Sequence, residues 1–228
     1  MGVSVLKAAS VLREVEQGRV PARVAPRAKL VALRLEALAM VRVLNLAQPR
    51  ACWRIVALDG APGADGGLRL GGRRLAAPRL IPASGQLTGA AFAAATIGDA
   101  IERQVGALFA ARQPSLAVAL DGVGNELLFA VSRRVQDRVL ADARQRGLSV
   151  AGELRAGDPG LDLQAQQTVL ELAGGAEIGI RLTRTLMMNP TKSTSIVQGV
   201  GLELPVETWS RCDDCRSRER CQRLQSAP

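Results

Sequence analysis

The sequence predicts an α+β protein, with a mixed or antiparallel sheet flanked by helices, a helical N-terminal region and a short Cys-rich C-terminal tail. Three observations point there. Apolar residues recur with helical spacing through Arg27 to Leu46 and again from Val123 to Gln145. Compact apolar runs with strand character stand at Trp53 to Leu58 and Ser195 to Leu204. Hydrophobic residues make up 47% of the 228 and charged residues 22%, enough apolar surface for a sizeable core.

Taken in order, residues 2–16 carry Val5, Leu6, Val11, Leu12 and Val15, a pattern that predicts a short amphipathic helix ended by Gly18 and Pro21. Leu30, Leu33, Leu38, Val41 and Leu44 mark the next helix, which Pro49 closes. Leu68 to Leu75 around Gly71-Gly72 predicts a hairpin inside a Gly/Pro/Ala-rich run, residues 60–89, that otherwise reads as irregular or as a linker. Thr96 is placed to cap a helix from Ile97 to Ala111. Leu116 to Leu120 reads as a short strand entering a helix through Asp121-Gly122-Val123-Gly124. Such a turn can cradle phosphate, but it lacks the third glycine of the dinucleotide fingerprint, and tight packing explains it better. Glu153 to Gly160 forms a loop, and Leu161 to Leu172 a helix before Gly174-Gly175. The division is therefore 1–89, a helical N-terminal region with a hairpin; 90–205, the core; and 206–228, the tail.

Composition excludes several chemistries. With no His, neither an imidazole base nor a His-ligated metal can operate, and 2% aromatic residues with no Tyr leave no platform for stacking single-stranded nucleic acid. The charge of +9 is one-sided: 16 Lys and Arg against 7 Asp and Glu precede Pro114, and 14 face 14 from there on. A basic half suits an acidic partner surface, although the dominance of Arg over Lys and the abundance of Ala also fit a GC-rich genome. No run of about 18 apolar residues and no signal-peptide pattern stands out, so the expected location is the cytoplasm, away from membranes.

The stretch from Leu182 to Ser195 is the one least explained by a core. Pro190 fixes its own φ and holds Asn189 extended, while Lys192, Ser193, Ser195 and the threonines among them set polar groups beside the adaptable Met187 and Met188. Such a surface suits a large, partly apolar ligand with polar edges. A Ser/Thr-rich turn capping a strand would read the same way.

Together these pieces resemble the activation domain of cobalamin-dependent methionine synthase, and more closely its stand-alone relatives. The family order is Thr-Ile-Gly opening a helix, Leu-Asp-x-x-Gly, a Gly-Tyr loop, a Gln-bearing helix, Leu-Thr, and Met-x-Pro-x-x-Ser-x-Ser. Here these read Thr96-Ile97-Gly98, Leu120 to Gly124, the loop around Gly157, Leu163 to Gln166, Leu182-Thr183, and Met188 to Ser195. The match spans roughly residues 90–205; each motif is modest alone, and the order is what makes them specific.

The resemblance implies a domain that offers S-adenosylmethionine to an inactive cobalt(II) corrinoid carried by a partner. That partner would be a corrinoid-binding protein or a methionine synthase lacking its activation domain, reduced by a flavodoxin-like or ferredoxin-like donor. It implies ligand contacts at Arg155, Gly157, Asp158, Met188, Pro190, Lys192, Ser193 and Ser195. The family loop, Arg-x-x-Pro-Gly-Tyr, is altered: aligned on Gly157, Glu153 replaces the carboxylate-binding Arg and Asp158 the Tyr that reaches toward the corrin. Binding then uses another arginine such as Arg155, takes a different geometry, or is lost.

Cys212, Cys215 and Cys221 form a Cys-x2-Cys-x5-Cys pattern, and Cys52 could supply a fourth thiolate. The set suits an iron–sulfur cluster, which could relay the activating electron, or a structural zinc; reduced surface thiols are the plain alternative. The sequence thus supports three functional readings: corrinoid reactivation, an iron–sulfur or adaptor protein on the same scaffold without the ligand site, and a zinc-dependent nucleic-acid binder. Scarce aromatic residues and the lack of a recognisable reading helix disfavour the last, so no nucleic-acid partner is expected.

Overall fold

The computed structural model describes residues 2–18 and 28–205. Five strands form an antiparallel sheet in the order β1-β2-β5-β9-β6, where β1 is Gly2–Val5, β2 Arg50–Ala57, β5 Gln86–Thr96, β6 Ser149–Leu154 and β9 Ser193–Leu202. Helices α1 (Ala8–Gln17), α2 (Ala28–Val43), α3 (Ala100–Ala110) and α4 (Pro114–Gln145) gather on one face. The other face carries α5 (Ala165–Ala173) and the hairpin of β3 (Gly67–Leu70) and β4 (Arg73–Ala76). A second small hairpin joins β7 (Arg181–Leu182) to β8 (Met188–Asn189). The predicted α+β class is what the chain adopts.

The central strand explains the layering. In β5, Ala91, Ala93 and Ala95 point to the α4 side, and Phe92 and Ala94 to the α5 side, all at most 1% exposed. A strand covered on both faces needs no polar alternation, which is why its apolar run is continuous. The small side chains let a helix approach on either face.

Several local expectations are corrected. Gly2–Val5 is a strand, not helix, because it pairs antiparallel with Arg50 to Trp53; the helix starts at Ala8. Leu116 to Leu120 is not a strand, and no strand-to-helix turn exists at Asp121 to Gly124. Pro114 sits in the first turn of a single 32-residue helix, where its missing N–H costs nothing, and Leu116, Leu120, Val123, Leu127 and Val131 form its buried stripe. Composition alone makes α4 long and apolar enough to cross a bilayer, but half of its most apolar window is buried in this core. Thr96 closes β5 instead of capping a helix, and Gly98, at φ +79°, turns the chain before α3 begins at Ala100. The run 60–89 is structured: Leu68, Leu70, Leu75 and Leu80 are at most 3% exposed, and β5 begins at Gln86, so position 89/90 falls inside a strand. The loop after Glu153 is preceded by the strand β6, and the helix beyond it begins at Ala165, after a turn that includes Leu161.

Candidate functional site

The sheet register brings the two halves of the expected site together. Leu154, the last residue of β6, pairs with Val197 of β9, so the loop beginning at Arg155 leaves the sheet beside Ser195 and Ile196. The loop is tightly closed. Asp158 Oδ2 accepts from the Arg155 amide at 2.8 Å, the Asp158 amide returns a bond to the Arg155 carbonyl at 2.8 Å, and the Gly157 amide donates to Leu161 O at 2.9 Å. Gly157 has φ +93°, a conformation glycine takes without steric cost. Its floor meets Leu163, in the turn before α5, and the 3-10 turn Pro78–Leu80: a Cβ at Gly157 would lie 3.9 Å from Leu163, and one at Gly160 2.9 Å from Arg79.

The Arg155 guanidinium faces Glu153 at 3.0 Å, and both side chains are mostly covered. A carboxylate–guanidinium pair thus stands next to the loop, where the resemblance leads one to expect a single arginine. Asp158, where the resemblance places an aromatic side chain, turns its carboxylate back onto the loop backbone.

Three candidates in the second segment are turned inward. Ser193 Oγ lies 2.9 Å from Thr96 Oγ1, and Ser195 is 3% exposed on the sheet face that α5 covers. Lys192 is 9% exposed; its Nζ contacts Asp121 Oδ1 at 2.7 Å and donates to Asn125 Oδ1 at 2.6 Å. Asp121 and Asn125 stand one turn apart on α4, and Gly124 between them leaves room: a Cβ there would lie 3.3 Å from Lys192 Cε and 3.1 Å from Ile101 Cγ2. The two motifs that are separate in the sequence, Leu120 to Gly124 and Met188 to Ser195, are therefore one structure, a cation seated on a helix. Met188 is half-buried in β8, Met187 is exposed, and Asn189-Pro190 is a cis peptide.

Other contacts that hold this segment were not expected. Glu102 of α3 accepts from the Thr191 amide at 3.0 Å and from its hydroxyl. Gln166 of α5 is 7% exposed and donates to the carbonyl of Leu186, which has φ +63°. Thr183 closes the same turn, its hydroxyl accepting from the Met187 amide at 3.1 Å. An amide and a carboxylate four residues apart on α4, opposite a lone lysine in the segment, was the only sequence signal for the Lys192 seat.

Cys52 lies in β2 at 1% exposure, and burial, with Glu177 nearby, pushes its thiol up to about 11, outweighing the Ala94 backbone hydrogen bond and Arg54. Cys212, Cys215 and Cys221 lie outside the described residues. Among the described residues no group of three or more His, Cys, Asp or Glu is placed to hold a metal ion.

No family model matches the chain, and no curated protein does. Among solved structures, that of the MetH reactivation domain bound to AdoHcy resembles this chain with a TM-score of 0.65 at 13% identity. The likeness covers 99% of this chain and 88% of that one, and it shows a shared fold.

Proposed function

We propose that this chain binds S-adenosylmethionine beside the Gly157 loop and offers it to a corrinoid held by a partner protein, which is thereby returned to its methylated state. The fold likeness over 99% of the chain to a domain solved with AdoHcy carries this reading. The residues fit such a ligand's amino-acid end. Glu153 and Arg155, 3.0 Å apart, offer a carboxylate for an α-ammonium and a guanidinium for an α-carboxylate. The ligand supplies an electrophilic methyl group on a sulfonium. The chain's task is positioning: the Asp158 and Gly157 hydrogen bonds hold the loop, and the strand pairing holds it against β9. No imidazole or phenol is needed for that work, which agrees with a sequence containing neither. The activating electron comes from a flavodoxin-like or ferredoxin-like donor.

Calorimetric titration of the full chain with S-adenosylmethionine and S-adenosylhomocysteine tests the reading. Binding of both is expected. Arg155→Gln should weaken each at least tenfold, since a hydrogen bond to a charged group contributes about 1.5–3 kcal/mol and tenfold corresponds to about 1.4. Absence of heat from the unaltered chain at millimolar ligand would leave only the scaffold and sink the proposal.

A further inference from the structure

A cavity of about 510 Å³ opens between the outer face of α5 and the β7–β8 turn. None of the residues named for the S-adenosyl ligand lines it, so an occupant of this cavity is independent of that reading. Its apolar lining is Leu170, Ala176, Ile180, Leu182 and Leu186, of which Leu170 and Ile180 are at most 6% exposed. Arg181 and Arg184 also line it, and neither guanidinium has an ion-pair or hydrogen-bond partner among the described residues. The one carboxylate in the lining, Glu171, is already engaged: Arg73 contacts it at 3.1 Å and Gln167 donates to it at 3.0 Å. Two guanidinium groups are thus left facing solvent beside an apolar floor.

The wall is prearranged. Leu186 holds a left-handed backbone conformation, which costs a non-glycine residue energy unless its surroundings fix it, and here the buried Gln166 and the Thr183 turn do so. The cavity's size falls in the range of about 300–1,000 Å³ typical of small-molecule sites, where an apolar floor supplies affinity and a few polar groups fix orientation.

We infer that this cavity binds a small amphipathic organic anion, with its apolar body on Leu170, Ile180 and Leu182 and its acidic head on Arg181 and Arg184. Guanidinium groups suit a carboxylate, sulfonate or phosphate head because their planar fork donates two parallel hydrogen bonds. The probe is 8-anilinonaphthalene-1-sulfonate, titrated into the full chain with fluorescence for affinity and methyl-resolved nuclear magnetic resonance for location. Shifts should concentrate on Leu170, Ile180, Leu182 and Leu186. The Arg181→Gln/Arg184→Gln double variant should raise the probe's Kd at least tenfold, while Arg69→Gln, on the β3–β4 hairpin, leaves it unchanged. Uncharged N-phenyl-1-naphthylamine should bind at least tenfold more weakly and be indifferent to the double variant. Both altered arginines are exposed and lack ion-pair partners among the described residues, so the variant's thermal unfolding should match that of the unaltered chain. Equal probe affinity for the double variant, equal affinity of the uncharged analogue, or shifts centred elsewhere would each overturn the assignment.

Discussion

Lys192 shows how one side chain can decide the placement of a segment. Its side chain is 11% exposed, whereas that of Asp121, which it meets, is 47% exposed, so the two partners do not lose equally when the pair is broken. Asp121→Ala strands a covered cation with only the Asn125 amide and should cost about 3 kcal/mol, the lower end for an uncompensated buried charge. Lys192→Met keeps the apolar stem and leaves a carboxylate that water can reach, for about 1 kcal/mol. Urea unfolding of the two variants would check this, and an equal or reversed order would mean that the pair does not anchor β9 to α4. The sequence already pointed to Lys192 as unusual, but from the segment alone a polar side chain aimed at a ligand and one seated on a helix look alike. Only the register of β9 against β5, with Ser193 opposite Thr96, turns it inward.

At the scale of elements, α1 is fastened to α4 by charge as well as by Val11, Leu12 and Val15. Glu14 accepts from Arg133 and Arg134 at 2.9 Å each, and Arg134 also donates to the Ser10 carbonyl at 3.0 Å. Partial burial works to raise the Glu14 carboxyl, but the two arginines outweigh it and hold the group below its ordinary value of 4.5. Because the folded-state value is depressed, this contribution is complete above pH 4.5, fades as pH falls below it, and is gone once folded Glu14 is protonated. Glu14→Gln should therefore cost about 1 kcal/mol at pH 7, discounted for partial exposure, and nothing in strong acid. Chemical denaturation at both ends of that range would test it, and a loss independent of pH would point to packing instead. Element type was legible where periodicity was long, as in Arg27 to Leu46. It failed at α4, where Gly122 and Gly124 imitate a turn: nothing local reveals that Gly124 is small to admit Ile101 and Lys192.

On the scale of the whole molecule, the familiar motifs begin near residue 90, yet β5 starts at Gln86 and takes its partner β2 from the preceding segment, Arg50 to Ala57. A fragment of residues 90–228 would lose β1, β2 and helices α1 and α2, baring one edge of β5 and part of both cores. It should not fold alone, and its amide resonances should collapse into a narrow band; well-dispersed resonances would show instead that the later residues are autonomous. The earlier segment was hard to read because its contribution is pairing between distant strands, which leaves no local pattern. The alanines of β5 carry a further consequence, for how the chain tolerates mutation. Most protein interiors suffer chiefly when side chains are cut back, but Ala91, Ala93, Ala94 and Ala95 have almost nothing to lose. Every replacement larger than cysteine there must push a helix or the sheet aside, at about 1–3 kcal/mol each. A saturation scan of this strand should show tolerance confined to glycine, serine and cysteine, whereas neighbouring Phe92 should show the opposite preference, for bulk.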